Sequence, residues 1–172
     1  MKLIRYYFGL CMVLLLSCAG CNGIDESPDG GTDDKVHVGD KIPMFKIALS
    51  TGDSISSDGL KGKSSVVVLF HTSCKDCQRE FPTLEALYKK YGESVNFLCI
   101  GREQDATVAA AYWSENSMTL PYSPQPDRNV YHLFAERTIP RVYVADKEGI
   151  IVAAFKEKVD ASQLEQAITG QP

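Results

Sequence analysis

Two cysteines with two residues between them, Cys74 and Cys77, are the side chains in this 172-residue chain whose spacing best suits chemistry. They follow an unbroken apolar run at residues 66–70, which suits a strand buried on both faces. Residues 75–91 carry apolar side chains three or four positions apart, and this spacing predicts a helix. The cysteine pair is therefore expected at a junction between a strand and a helix.

That position favours thiol redox chemistry. The unpaired N–H groups and the dipole at a helix N-terminus stabilise negative charge, so a thiolate should form readily at Cys74. Cys77 lies one helical turn further on, close enough to form a disulfide with Cys74 and less accessible to solvent. The pattern predicts a pair that is oxidised and reduced without unfolding the protein.

Two other interpretations of the cysteine pair are weaker. A structural zinc ion needs about four ligands, and the chain offers no second Cys/His pair at ligand spacing, so we predict no metal site. A purely structural disulfide across two residues closes too short a loop to remove much chain entropy. His71, just before the pair, could assist proton transfer, but a polar residue at a strand end is the more common explanation.

The stretch resembles the active site of the thioredoxin superfamily, and more narrowly that of the TlpA/ResA-like thiol-disulfide oxidoreductases. Pro82 matches the proline that kinks the active-site helix of that family, and Glu80 matches its acidic residue three positions after the second cysteine. Thr138-Ile139-Pro140 matches its cis-proline loop. The chain departs from the family at Ser73, where tryptophan is usual, and at Lys75-Asp76, where a proline-containing dipeptide is usual.

The resemblance implies an α/β protein with a thioredoxin-like fold: a central mixed β-sheet flanked by helices, with an N-terminal β-hairpin extension. It implies that Cys74 attacks a substrate disulfide and Cys77 resolves the mixed disulfide. Glu80 would modulate thiol ionisation, and Ile139 and Pro140 would bind the substrate. The expected enzyme is a thiol-disulfide oxidoreductase that needs no cofactor.

Two alternative functions belong to relatives with the same fold. A peroxiredoxin would carry Thr or Ser three residues before its reactive cysteine and Pro four residues before that, where this chain has His71 and Val67. A copper-binding module of the Sco type would space its cysteines by three residues rather than two. Both alternatives fit the sequence less well than the oxidoreductase.

The first 17 residues resemble a bacterial lipoprotein signal peptide. Lys2 and Arg5 precede an apolar run that is too short to span a bilayer. The run ends in Leu-Leu-Ser before Cys18, a pattern similar to a lipobox, so Cys18 is the expected lipidation site and Cys21 is the alternative. Ordinary secretory cleavage without lipid is the competing interpretation.

Residues 18–35 are polar and acidic and predict a flexible tether, and residues 36–172 form the expected thioredoxin-like domain. This organisation predicts a protein of the bacterial cell envelope, anchored by lipid and facing the periplasm. Its expected partners are disulfide-containing exported proteins and an upstream thiol electron donor. The net charge of −4, without a Lys/Arg cluster, argues against nucleic acid as a partner.

Within the domain, several local signals predict secondary structure. Residues 38–45 and 51–53 are expected to form the N-terminal hairpin, and residues 95–100 a core strand that buries Cys99. Asp105 should cap a helix that carries Val108, Ala111 and Tyr112 on one face. Residues 141–145 and 150–155, on either side of a glycine-ended turn, predict a second hairpin.

Overall fold

A five-stranded mixed sheet forms the centre of the fold in the computed structural model, which describes residues 33–170. Two short 3₁₀ turns, at residues Ser57–Leu60 and Tyr131–Leu133, accompany the regular elements. In chain order these elements are β1 (Lys46–Ala48), β2 (Ser54–Ser56), β3 (Ser65–Phe70), α1 (Lys75–Tyr91), β4 (Asn96–Gly101), α2 (Ala106–Glu115), β5 (Tyr122–Ser123), β6 (Arg141–Ala145), β7 (Ile151–Lys156) and α3 (Ala161–Thr169).

The strand that precedes the cysteine pair lies in the middle of this sheet. The strand order is β5-β4-β3-β6-β7, with β3 parallel to β4 and antiparallel to β6. Every residue of β3 is buried, as its unbroken apolar run predicts for a strand covered on both faces. β1 and β2 form a separate antiparallel pair. The predicted mixed sheet and N-terminal strand pair are thus confirmed.

Helix α1 packs on the sheet through an aromatic cluster. Phe81 lies 5.6 Å from Phe70 of β3 and 5.3 Å from Trp113 of α2, measured between ring centroids. Pro82 lies inside the helix, as the resemblance implied. Because the cluster is buried, it fixes the height and rotation of the helix whose first turn carries the cysteines.

The face of α2 that carries Val108, Ala111 and Tyr112 is not the face buried in the core. Val108 is 54% exposed, whereas Ala109 and Trp113, one turn apart, are the buried residues of this helix. Trp113 packs against the aromatic cluster and donates its indole N–H to the Leu120 carbonyl at 2.8 Å. Burying the large indole with its N–H satisfied outweighs burying the smaller Val108 side chain.

The N-terminal hairpin also differs from the prediction in the positions of its strands along the chain. Its strands are β1 and β2, which begin later than the predicted residues 38–45 and 51–53. The earlier stretch instead runs beside the turn before β7, where Gly39 N–H bonds to the Ile151 carbonyl and Ile42 N–H to the Gly149 carbonyl. These residues therefore pair with a distant segment rather than with their sequence neighbours.

Three residues of the predicted tether contact the domain. Asp33, Asp34 and Lys35 bond to its residues; Lys35 N–H donates to the Phe134 carbonyl at 3.0 Å. The predicted domain boundary at residue 36 stays a prediction. The predicted signal peptide, Cys18, Cys21 and the rest of the tether lie outside the described residues. Among residues 33–170, no helix is long and apolar enough to cross a membrane.

Candidate active site

Cys74 caps the N-terminus of α1 with its sulfur. Its Sγ accepts a hydrogen bond from the Cys77 N–H at 3.4 Å, and its own N–H donates to the His71 carbonyl at 3.1 Å. An N-cap acceptor satisfies one of the free N–H groups of the first turn, and the helix dipole favours negative charge there. Cys74 is partly exposed, so its sulfur lies at the helix N-terminus where a substrate can reach it.

Cys77 has the opposite environment. It is 1% exposed, and burial raises the pKa of its thiol far above the usual range. The Cys74 sulfur beside it raises the pKa further, whereas the positive charge of Arg102 lowers it. Cys77 is therefore a covered, protonated thiol in the reduced protein, and the two cysteines are chemically unequal.

The loop at residues 138–140 lies beside Cys74, and the Ile139–Pro140 peptide bond is cis, as predicted. The Cys74 thiol donates to the Ile139 carbonyl, with the sulfur and oxygen 3.7 Å apart. This proximity follows from strand pairing: Leu69 of β3 lies opposite Arg141 of β6 in an antiparallel pair. The residues just after β3 and just before β6 therefore meet at the same end of the sheet.

Glu80 is buried in the second turn of α1, with only 5% of its surface exposed. Its Oε1 accepts from Arg79 Nε at 2.9 Å, and Arg79 Nη2 donates to the Glu157 carbonyl at 2.9 Å. Glu157 N–H in turn donates to the Pro140 carbonyl at 3.0 Å. The buried carboxylate is thus linked through Arg79 to the cis-proline loop, a connection that no local sequence signal reveals.

Hydrogen bonds from outside the motif hold the loop before α1. Thr72 N–H donates to Oε1 of Gln104, which is 1% exposed, at 2.7 Å, and Gln78 Nε2 donates to the Thr72 carbonyl at 2.7 Å. His71 Nδ1 accepts from Ser73 N–H at 3.1 Å and lies 2.8 Å from its hydroxyl oxygen. His71 therefore shapes the loop, which favours its interpretation as a polar residue at a strand end over a role in proton transfer.

Arg102 is a further residue at the site that sequence reasoning missed. It follows β4, and because β4 is parallel to β3, the carboxyl ends of both strands lie at the same end of the sheet. Its Nη1 donates to the Arg137 carbonyl at 2.5 Å, and its guanidinium lies 5.2 Å from the Tyr131 ring centroid. The Arg102 charge also acts on Cys77, as described above. The one signal that could have found Arg102 is the general rule that the carboxyl ends of neighbouring parallel strands lie at the same end of a sheet.

No group of three or more His, Cys, Asp and Glu side chains suited to hold a metal ion occurs within residues 33–170. Cys99, the third cysteine of the described part of the chain, is fully buried in β4, as predicted. Burial raises the pKa of its thiol well above the usual range, and the charge of Glu85 adds to this. The chemistry of the site therefore rests on Cys74 and Cys77.

A thioredoxin-like fold with an accessible and a buried cysteine at the start of one helix defines a thiol-disulfide oxidoreductase. The chain belongs to the Redoxin family, whose model matches residues 37–168. It is similar to the thiol-disulfide oxidoreductase ResA of Bacillus thuringiensis strain Al Hakam, with 25% identity over 167 residues, 96% of this chain and 95% of that protein. The thioredoxin-like protein YneN of Bacillus subtilis strain 168 is 21% identical over 77% of this chain and 79% of its own length.

Solved structures show the same fold. A DsbF homologue from Corynebacterium diphtheriae aligns with a TM-score of 0.69 and 21% identity over 83% of this chain and 95% of its own. StoA from Bacillus subtilis aligns with a TM-score of 0.62 and 21% identity over 73% of this chain and 96% of its own. These comparisons confirm the predicted thioredoxin-superfamily, ResA-like protein and its class of activity. The roles of the individual site residues stay predictions.

Proposed function

We propose that this oxidoreductase is exported and membrane-tethered, and that it reduces disulfides of exported proteins. The observation that carries the reaction is the arrangement of the two sulfurs. The Cys74 sulfur caps α1 beside the Ile139 carbonyl, and Cys77 lies buried one turn below it. Such an arrangement presents one thiolate to a substrate and keeps the second thiol for the following step.

In the first step the Cys74 thiolate attacks one sulfur of a substrate disulfide. The substrate S–S bond breaks, a mixed disulfide forms, and the released substrate sulfur takes a proton. Cys77 then loses its proton and attacks the Cys74 sulfur, which frees the second substrate thiol. Two electrons pass from the enzyme to the substrate, and an upstream thiol donor must reduce the resulting Cys74–Cys77 disulfide.

The second step requires Cys77 to ionise inside the protein, although burial raises its pKa. The positive charge of Arg102 acts in the required direction. We assign Glu80, the buried carboxylate of the same helix, to modulating thiol ionisation. Ile139 and Pro140 are assigned to substrate binding, since their loop would offer backbone groups to an extended peptide beside Cys74.

Trapping experiments test this sequence of steps. Cys77→Ser should attack disulfides but retain the substrate as a mixed disulfide that can be isolated on a non-reducing gel, because no resolving thiol remains. Cys74→Ser should form no adduct and should not reduce insulin. Cys99→Ala is the matched control: it removes a buried thiol outside the site and should behave as the wild type. Adducts that accumulate only on Cys74→Ser would reverse the two roles.

The anchor is the second part of the proposal. A lipid on Cys18, or alternatively on Cys21, would hold the domain at the membrane of the cell envelope on an acidic tether, facing the periplasm. Several acyl chains hold a protein stably on a bilayer, whereas one chain holds it weakly. Mass spectrometry of the mature N-terminus tests this assignment. An unmodified product that begins at another residue and is recovered in the soluble fraction would contradict it.

A further inference from the structure

The carboxylate of Asp33 bonds directly to the loop that carries Pro140. Its Oδ1 accepts from Arg137 N–H at 2.6 Å and from Thr138 N–H at 3.3 Å. Its Oδ2 accepts from Arg141 Nη2 at 2.6 Å and from Lys156 Nζ at 3.0 Å. One carboxylate thus joins two backbone groups of the loop to two cations on neighbouring strands of the sheet.

Arg141 gives this carboxylate a fixed support. It is the first residue of β6 and only 3% exposed, and it lies opposite Leu69 on one side and Lys156 on the other. Arg141 Nε also donates to the Thr138 carbonyl at 3.2 Å. A buried guanidinium is costly without an anionic partner, so the pairing of Arg141 with Asp33 is strongly favoured once the strand has formed.

The supported loop leads directly to the reactive sulfur. Thr138, which bonds to Asp33 through its N–H and to Arg141 through its carbonyl, precedes Ile139, whose carbonyl lies 3.7 Å from the Cys74 sulfur. A shift of the Thr138 backbone would therefore move the Ile139 carbonyl relative to Cys74. Because the loop is proposed to bind the backbone of an extended substrate, such a displacement should weaken substrate binding.

Asp33 also stays charged under all ordinary conditions. Burial by itself would raise its pKa, but hydrogen bonds from Thr138, Lys156 and Arg137 and the charge of Arg141 lower the pKa far below the usual range. Its role should therefore not change with pH near neutrality.

We propose that Asp33 is a positioning residue for the substrate-binding loop, holding residues 137–139 so that Ile139 faces Cys74. A residue of the predicted tether thereby becomes part of the working enzyme. This inference rests on the proposed function of the Ile139–Pro140 loop in binding substrate.

Asp34 provides a matched control one residue away. Its Oδ1 pairs with Nη1 of the same Arg141, and its Oδ2 lies 4.0 Å from Lys156 Nζ. The N–H groups of residues 137 and 138 donate to Asp33 and not to Asp34. Removing either carboxylate weakens the same ion-pair cluster, but only the change at Asp33 also removes the acceptor of these loop N–H groups.

The test compares Asp33→Ala and Asp34→Ala in the full chain, with thermal unfolding and steady-state reduction of labelled insulin as readouts. Both variants should lower Tm, because both lose an ion pair with Arg141. Asp33→Ala should raise KM at least about threefold above that of Asp34→Ala, with kcat changed less than about twofold. A smaller rise in KM, or a loss that falls on kcat alone, would overturn the proposal, since an aspartate with only a structural role would lower Tm without moving KM.

Two further measurements keep the result decisive. If Asp33→Ala does not fold, Asp33→Glu replaces it under the same threshold, because it keeps the charge but displaces the oxygen that accepts from the loop. If the wild type reduces no insulin, the proposed function fails by itself, and the rate of iodoacetamide labelling at Cys74 decides the inference. A more than about threefold difference in this labelling rate between Asp33→Ala and Asp34→Ala would support the inference, and a smaller difference would overturn it.

Discussion

Glu85 joins the redox helix to the segment before β5 through a set of charged hydrogen bonds. Its Oε1 accepts from the Thr119 hydroxyl, and its Oε2 accepts from Thr119 N–H at 3.0 Å and from Leu120 N–H at 3.1 Å. Lys89 Nζ lies 3.4 Å from Oε1 on the solvent side. Glu85→Ala would remove this link, and Glu85→Gln would keep its shape without its charge.

The two substitutions should differ in magnitude. The alanine variant leaves two N–H groups without their acceptor, one of them in a buried position, and an unsatisfied buried donor costs about 1–3 kcal/mol. We therefore expect Glu85→Ala to lose about 3–5 kcal/mol of the free energy of unfolding. A glutamine can accept both N–H groups with its amide oxygen and donate its amide N–H to the Thr119 hydroxyl. Glu85→Gln should thus lose only about 1 kcal/mol, the part that depends on charge.

The charge also predicts a pH dependence. Burial would raise the pKa of Glu85, but the bonds from the Thr119 hydroxyl and from the N–H groups of Thr119 and Leu120 outweigh it and lower the pKa. Since the folded pKa lies below the unfolded one, the stabilisation is fully present above about pH 4.3, the ordinary glutamate value. It is lost as the pH falls through the folded pKa. The difference in stability between wild type and Glu85→Gln should therefore narrow in acid.

Urea unfolding followed by tryptophan fluorescence is a direct assay. Trp113 is the single tryptophan of the chain, is 5% exposed, and donates to the carbonyl of Leu120, beside the affected hydrogen bonds. Glu103→Gln is the control: its carboxylate is half exposed and paired with Arg128, so it should change stability by about 1 kcal/mol or less. Equal losses for the two Glu85 variants, or a loss below about 1 kcal/mol for Glu85→Ala, would refute this reasoning.

Three further predictions concern the thiols and the core under the helix. Limiting iodoacetamide should label Cys74 before Cys77 in the reduced protein and leave Cys99 unlabelled until denaturant is added, because burial raises the pKa of the Cys77 and Cys99 thiols. Peptide mass spectrometry would show the order of labelling, and early labelling of Cys77 would contradict the prediction. Glu80→Gln should slow release of the second substrate thiol about 10- to 100-fold in single-turnover experiments, and a wild-type rate would remove Glu80 from the reaction. Phe81→Ala should destabilise the domain by about 3–5 kcal/mol in thermal or urea unfolding, and a loss under about 1 kcal/mol would mean that the aromatic cluster does not anchor α1.

Local signals account for the parts of the fold that could be predicted. The bounds of α1 agree with the predicted residues 75–91, because its apolar spacing and the preceding loop are both contained in one short stretch. The predicted helix cap at Asp105 is present, since an N-cap bond reaches only three residues along the chain. The hairpin of β6 and β7 was also predicted, because its glycine turn and apolar flanks are adjacent in sequence.

The errors occur where a distant part of the chain decides. Val108 and Trp113 both suit a helix, and only the position of the aromatic cluster shows which side faces the core. The stretch before β1 looked like part of a hairpin, but it pairs with the turn before β7 across more than a hundred residues. Asp33 looked like a tether residue by composition, and Arg141, its buried partner, lies far along the chain.

The sequence by itself determined that a cysteine pair opens a helix after a buried strand, and therefore which class of redox chemistry to expect. These properties depend on residue types within a few positions of one another. The tertiary structure alone decided which side chains surround the two sulfurs. Arg102, Gln104 and Asp33 reach the site because β3 and β4 end, and β6 begins, at the same end of the sheet. The burial and charge that make Cys77 unlike Cys74 exist only when those strands are paired.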